Sequence, residues 1–113
     1  MPAENDAESA AYPRRVLVVE DEPAIRRFLR ASLTAHGYEV EEAATAGDGL
    51  NRAATHPPDV IILDLGLPDA DGIHVTKRIR GWSAVPIIVL SAREKEGDKV
   101  AALDAGADDY VAK

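Results

Sequence analysis

Reactive polar side chains stand directly after the short apolar runs of this sequence. Two carboxylates follow the run Val16–Val19, and a third follows Val60–Leu63. A hydroxyl and an ammonium group come after the later runs. The set is Glu20, Asp21, Asp64, Ser91 and Lys113. If the runs are strands of an open parallel sheet, these side chains converge at the carboxyl edge, where such sheets bind ligands.

Three carboxylates at one edge require a counter-charge. Two carboxylates about 5 Å apart repel by roughly 3 kcal/mol at an effective dielectric constant near 20, and Lys113 offsets only one charge. Oxygen ligands with room for water favour Mg²⁺ over Ca²⁺ or Zn²⁺. The histidines lie away from the strand ends, which also disfavours zinc. A magnesium ion beside a lysine and a hydroxyl suits phosphoryl transfer, with Asp64 as the nucleophile because it ends the central strand.

Alternating strands and helices must position these groups. The continuous apolar runs predict strands buried on both faces, and the stretches between them have helical periodicity. The predicted strands are Val16–Val19, Tyr38–Ala43, Val60–Leu63, Ile87–Leu90 and a last one that begins with Asp109–Val111. The predicted helices run from Pro23 to His36, from a Thr45–Asp48 capping box to Thr55, from Asp71-Gly72 through Ile79 and Trp82, and from Asp98 to Ala105. This pattern predicts an α/β fold, a doubly wound parallel five-stranded sheet, with a fifth helix expected after the last strand and absent from this chain.

Composition excludes several other classes of protein. The chain has 113 residues, 13 basic and 20 acidic side chains, a net charge of −7 and no cysteine. These values argue against a disulfide scaffold, a thiolate metal site and direct binding of nucleic acid phosphates. No apolar run is long enough to cross a membrane. We expect a cytoplasmic protein whose residues 1–14 form a disordered tail and whose residues 15–113 form one domain.

Four motifs resemble one family. They are Val18-Val19-Glu20-Asp21-Glu22, Leu63–Asp69 with Asp71-Gly72, Leu90-Ser91-Ala92-Arg93, and Ala105–Lys113. Together they resemble the receiver domain of two-component response regulators, in the OmpR/PhoB branch. The segments Pro23–Arg30 and Trp82–Arg93 further resemble regulators of potassium-transport genes. The resemblance implies the strand order 2-1-3-4-5 of flavodoxin and CheY-like folds.

The resemblance also implies roles for the acidic residues. Asp64 would accept a phosphoryl group from a sensor histidine kinase. Asp21, Asp64 and the Gly66 carbonyl would bind Mg²⁺ directly, and Glu20 would act through water. Lys113 would contact a phosphate oxygen. The chain would then catalyse only its own phosphorylation and dephosphorylation, and would not otherwise be an enzyme.

Further residues would carry the signal in the resembling family. Ser91 would turn to bind a phosphate oxygen with the help of the Ala92 N–H, and Tyr110 would turn inward. Two phosphorylated receivers would pair through the fourth helix, the fifth strand and the fifth helix. The matching charged positions are Lys99, Asp104, Asp108 and Asp109. A winged-helix domain after the receiver would bind DNA, so we expect this chain to be part of a longer regulator.

Three alternatives remain open from the sequence. A haloacid-dehalogenase-type phosphohydrolase needs a second aspartate two residues after the nucleophile, where Gly66 stands. A nucleotide or flavin binder needs a phosphate loop after the first strand, and Glu20-Asp21-Glu22 would repel a phosphate. A phosphorylation-independent pseudo-receiver would not need all the chemical positions filled. Taken singly, Asp21 or Ser91 is better explained as a helix cap than as a functional residue, so the prediction rests on the five positions together.

Overall fold

The fold is a parallel sheet whose strand order matches the prediction. The computed structural model describes residues 14–93 and 95–113, so the predicted tail lies, apart from Arg14, outside the described residues. The five strands pair in the order β2-β1-β3-β4-β5, and every pair is parallel. Their bounds are β1 Arg15–Val19, β2 Glu39–Ala43, β3 Val60–Asp64, β4 Ile87–Ser91 and β5 Asp109–Ala112. The predicted fold class is therefore confirmed.

Four helices connect the strands in the described part of the chain. They are α1 Pro23–Ala35, α2 Ala46–Thr55, α3 Gly72–Arg80 and α4 Glu96–Asp104. α4 begins two residues before the predicted Asp98. The prediction that α3 carries Trp82 was wrong, because the helix has ended by Gly81 and the Trp82 residue is 51% exposed. None of these helices is long and apolar enough to cross a membrane.

The core lies mainly on one face of the sheet. Leu17, Ile61 and Val89 belong to a buried cluster that also contains residues of α2, α3 and α4. The opposite face carries α1, whose Arg30 binds Glu42 on β2 at 3.1 Å. Val16 and Val18 of β1 are buried on that face, but other side chains there are less well covered than those of the cluster. Val111 is 44% exposed, Phe28 on α1 is 68% exposed, and Ile62, Ile88 and Leu90 are half-buried.

A side-chain cap marks the start of α2, and glycines follow the ends of α1 and α4. The Thr45 hydroxyl accepts the Asp48 N–H at 3.1 Å, which confirms the first half of the predicted capping box. The Asp48 carboxylate instead binds Arg52 at 2.9 Å. Gly37 and Gly106, predicted as helix stops, have φ angles of 88° and 115°, a conformation that glycine adopts without strain.

A long-range cap that sequence patterns missed joins two loops. Both carboxylate oxygens of Asp69 accept backbone N–H groups at the start of α2, from Ala46 at 2.8 Å and from Gly47 at 2.9 Å. These bonds lower the pKa of Asp69, the Gly47 N–H having the larger effect. The loop after β3 is therefore anchored to α2, which helps to fix the residues that follow Asp64.

Candidate functional site

The three predicted acidic residues meet at the carboxyl edge of the sheet. Val19 on β1 is paired with Leu63 on β3, so Glu20 and Asp64 follow at adjacent positions. Carboxylate oxygens of Glu20, Asp21 and Asp64 lie within 4.8 Å of one another. Glu20 is 2% exposed and Asp64 is 6% exposed, whereas Asp21 is exposed to solvent. The predicted convergence of these residues is thus present in the fold.

Lys113 follows β5, the edge strand, and its side chain completes the cluster. Its backbone N–H donates to the Ser91 carbonyl at 2.8 Å, directly after β5 ends. Its ammonium nitrogen Nζ lies 2.8 Å from Glu20 Oε1 and 3.2 Å from Asp64 Oδ1. The side chain is only 17% exposed. A single ammonium group therefore lies between two buried carboxylates, at the edge where the strand-end positions predicted that these residues meet.

Burial and charge shift the pKa values of this pair. Burial raises the pKa of Glu20 above its usual value, although the contact with Lys113 and the Glu22 N–H both oppose the shift. Burial alone would lower the pKa of Lys113, but its contact with Glu20 and the negative charge of Asp64 outweigh burial and raise that pKa. Lys113 is therefore held in its charged form, and three carboxylates still face one cation.

The donor set fits a small divalent cation. Glu20 Oε1 is fully buried, and the Lys113 ammonium group lies 2.8 Å from it. Lys113 offsets only one of the three clustered carboxylate charges, so a divalent cation bound at this edge would offset the remaining repulsion. Clustered carboxylate oxygens, one of them solvent-exposed, are the ligands that Mg²⁺ takes together with water.

A cavity of about 650 Å³ opens over these groups. Most predicted site residues line it, and so do three residues to which sequence reasoning gave no role. The wall includes Asp21, Asp64, Gly66, Ser91, Ala92 and Lys113 from the prediction, together with Glu22, Pro23 and Arg93. The cavity is open to solvent and large enough for a phosphoryl group with its metal. Tyr110 does not line it.

Arg93 connects the residues predicted to form the switch. Its backbone N–H donates to the Ser91 hydroxyl oxygen at 3.0 Å, and its carbonyl accepts the Tyr110 hydroxyl at 2.9 Å. Ser91 and Tyr110 are therefore tied to the same loop rather than to each other. The only sequence signal for this role is that Arg93 is the second residue after Ser91.

The Arg93 side chain also bridges two loops beside the cavity. Its guanidinium lies 3.1 Å from the Asp71 carboxylate and 3.7 Å from that of Asp98 on α4, and it donates to the Leu65 carbonyl at 3.4 Å. Asp71 is at the same time the cap of α3, because its other oxygen accepts the Ile73 N–H at 2.8 Å. The loop after Asp64 is thus linked to the loop after Ser91.

The charged residues predicted to form a dimer face lie on α4 and at the start of β5. Lys99, Asp104 and Asp109 are exposed. Asp108 is exposed too, but its carboxylate already binds Arg80 at 2.8 Å and the Ile87 N–H at 2.8 Å. Pairing through these residues stays a prediction, and Asp108 would have to share its carboxylate.

Comparison with known proteins gives one consistent family. The family described as response regulator receiver domain matches residues 16–113. The KDP operon transcriptional regulatory protein KdpE of Escherichia coli is 65% identical over 98 residues, which are 87% of this chain and 44% of that protein. KdpE of Mycobacterium tuberculosis is 61% identical over 98 residues, with 87% of this chain and 43% of that protein covered. The chain spans less than half the length of these curated relatives.

Solved structures agree with the sequence comparison. A putative response regulator from Chloroflexus aurantiacus has a TM-score of 0.86 and 35% identity, covering 90% of this chain and 86% of that one. The chemotaxis response regulator CheY4 of Vibrio cholerae has a TM-score of 0.85 and 31% identity, covering 90% and 88%.

Proposed function

The chain belongs to the response regulator receiver domain family, and from this premise we propose that it is a phosphorylation-dependent switch whose phosphoacceptor is Asp64. One observation carries the proposal. Lys113 Nζ lies within 3.2 Å of both Glu20 and Asp64, at an edge where three carboxylates cluster and two of them, Asp21 and Asp64, line an open cavity. Such a site attracts a divalent cation and an incoming phosphoryl group.

The chain's own residues would carry the transfer. An Asp64 carboxylate oxygen forms the new O–P bond while the P–N bond of a phosphohistidine donor breaks, and the electron pair stays on the imidazole nitrogen. Asp21, Asp64 and the Gly66 carbonyl would hold Mg²⁺, with Glu20 acting through water, and the ion would neutralise phosphoryl oxygens. Lys113 would exchange its Asp64 contact for a phosphoryl oxygen.

The signal would pass through the Arg93 loop. Ser91 would give up the Arg93 N–H and bind a phosphoryl oxygen beside the Ala92 N–H, and Tyr110 would lose its anchor on the Arg93 carbonyl and turn inward. A hydrogen bond to a charged group contributes about 1.5–3 kcal/mol, whereas moving a two-state domain from 1:99 to 99:1 needs about 5.5 kcal/mol. Pairing of two chains through the face with Lys99 and Asp104 would supply the remainder.

The similarity to curated relatives supports the proposed partners. At 65% identity to a KDP operon regulator, the chain is proposed to control potassium-transport genes in the cytoplasm and to receive its phosphoryl group from a KdpD-like sensor histidine kinase. DNA binding is assigned to a winged-helix domain outside this chain. Apart from its own phosphorylation and dephosphorylation, the chain is proposed to catalyse no reaction.

Labelling by a small phosphodonor tests the phosphoacceptor. Incubation with phosphoramidate and Mg²⁺, followed by intact mass, should add one phosphoryl group to the wild-type chain and none to Asp64→Asn. Asp59→Asn is the matched control, because Asp59 precedes the same strand at its opposite end. Continuous phosphate release without a stable adduct would instead indicate a phosphohydrolase. Absence of any labelling would indicate a phosphorylation-independent receiver.

A further inference from the structure

Arg26 on α1 folds back onto the loop that carries the acidic pair. A single guanidinium nitrogen, Nη1, donates to the Glu20 carbonyl at 2.9 Å and to the Asp21 carbonyl at 3.0 Å. The Arg26 backbone N–H donates to the Glu22 carbonyl at 3.1 Å, which is the ordinary first hydrogen bond of α1. Neither the motifs nor the proposed phosphoryl transfer gives Arg26 a role.

The two carbonyls belong to the peptide groups on either side of the Asp21 Cα. Holding both peptide groups restricts φ and ψ of Asp21, and this fixes the direction in which its side chain leaves the backbone. Asp21 depends on this backbone support more than Glu20 and Asp64 do. Glu20 and Asp64 are buried and contact Lys113. Asp21 is exposed, and its carboxylate makes no hydrogen bond or ion pair among the described residues.

We infer that Arg26 is a positioning residue for the divalent-cation site, acting through the backbone of Asp21. The inference rests on the Mg²⁺ site of the proposed function. The hydrogen bonds of Arg26 and its positive charge should change the affinity for Mg²⁺ in opposite directions. Arg26 is a cation near the acidic cluster, so its charge alone weakens binding of a second cation. Its hydrogen bonds hold a ligand in place and strengthen that binding.

The sign of the change in Mg²⁺ affinity therefore separates the two effects. Isothermal titration of the 113-residue chain with MgCl₂ would compare Arg26→Ala with Arg27→Ala. Arg27 is the matched control, because it is the next residue on α1, is exposed and has no side-chain hydrogen bond among the described residues. We expect Arg26→Ala to raise the Kd about tenfold, the lower end of the range for residues that orient metal ligands. Arg27→Ala should leave the Kd unchanged or slightly lower.

A second variant keeps the inference testable if Arg26→Ala does not give a cooperative thermal melt. Arg26→Lys retains the charge but not the guanidinium geometry, so a role of charge alone leaves the Kd unchanged, whereas positioning raises it several-fold. The inference is overturned if Arg26→Ala binds as tightly as Arg27→Ala, or if Arg26→Lys matches the wild type when the alanine variant is unfolded. Failure of the wild-type chain to bind Mg²⁺ would instead overturn the proposed metal site itself.

Discussion

Replacing Asp21 with asparagine should stabilise the metal-free chain and abolish most of its stabilisation by Mg²⁺. Asp21 adds a third negative charge to a cluster whose carboxylate oxygens lie within 4.8 Å of one another. Unlike Glu20 and Asp64, it has no ion pair with Lys113 to lose. Removing its charge therefore relieves repulsion without breaking an attractive contact.

The size of the gain follows from distance and exposure. Two charges 4.8 Å apart repel by about 3.5 kcal/mol at an effective dielectric constant of 20. Asp21 is exposed, and exposed charge pairs contribute about 0–1 kcal/mol. Two such repulsions give an expected stabilisation of about 1 kcal/mol, which for a chain of this size corresponds to a rise in Tm of about 4 °C.

Paired melts with and without Mg²⁺ measure both effects. For the wild-type chain, Mg²⁺ at one hundred times its Kd should add about 2.7 kcal/mol to the free energy of unfolding. Asp21→Asn should begin from a higher Tm in EDTA and gain little from the same Mg²⁺ concentration. Asp104→Asn, an exposed aspartate on α4 away from the cluster, is the control and should leave the Mg²⁺ response intact. A lower Tm for Asp21→Asn in EDTA, or an undiminished Mg²⁺ response, would refute the electrostatic reasoning.

Three further predictions test residues around the site. Gly72→Ala should destabilise the chain by about 1–3 kcal/mol and reduce phosphodonor labelling, because a Cβ there would lie 2.5 Å from the backbone carbonyl of the phosphoacceptor. Gly97→Ala on α4, where a Cβ meets nothing within 4 Å, should instead stabilise the chain by about 0.5–1 kcal/mol. Equal changes in stability for Gly72→Ala and Gly97→Ala in urea melts would contradict the steric argument. Asp69→Asn should be less stable than wild type near neutral pH. The difference in stability should shrink as pH falls below about 4 and vanish below the lowered pKa of Asp69 in the folded state. A pH-independent difference in urea melts would exclude a role for the Asp69 charge. Tyr110→Phe loses the hydrogen bond to the Arg93 carbonyl and should cost about 0.5–1.5 kcal/mol without changing the extent of labelling, whereas a loss of labelling would mean that Tyr110 supports the cavity directly.

The local sequence pattern predicted the helices and strands well, because their formation depends largely on residues that are close together in the sequence. Continuous apolar runs such as Val60–Leu63 have no polar face, so they form strands that are covered on both sides. The Thr45 cap and the glycine stops at Gly37 and Gly106 depend on neighbours a few residues away. Trp82 was misplaced for a related reason, since its apolar spacing continued the helical period beyond the point where Gly81 ends the helix.

Sequence patterns of this kind could not predict contacts between loops that are far apart in the sequence. Asp69 caps a helix that begins 23 residues earlier, and Arg93 binds Asp71 across 22 residues. Many aspartates could pair with many arginines in a sequence with 20 acidic and 13 basic side chains. Only the packed backbone selects which pairs approach, so neither contact could be assigned in advance.

The sequence by itself determined which residues reach the carboxyl edge, because parallel pairing brings every strand end to the same side of the sheet. Glu20, Asp64 and Lys113 meet there for that reason alone. Tertiary structure decided how these groups are held: Lys113 lies between two carboxylates, and Arg26 holds the backbone beside Asp21. The strand pattern is repeated along the chain and can be read locally, whereas each of these contacts depends on a distance of a few ångströms that only the folded chain defines.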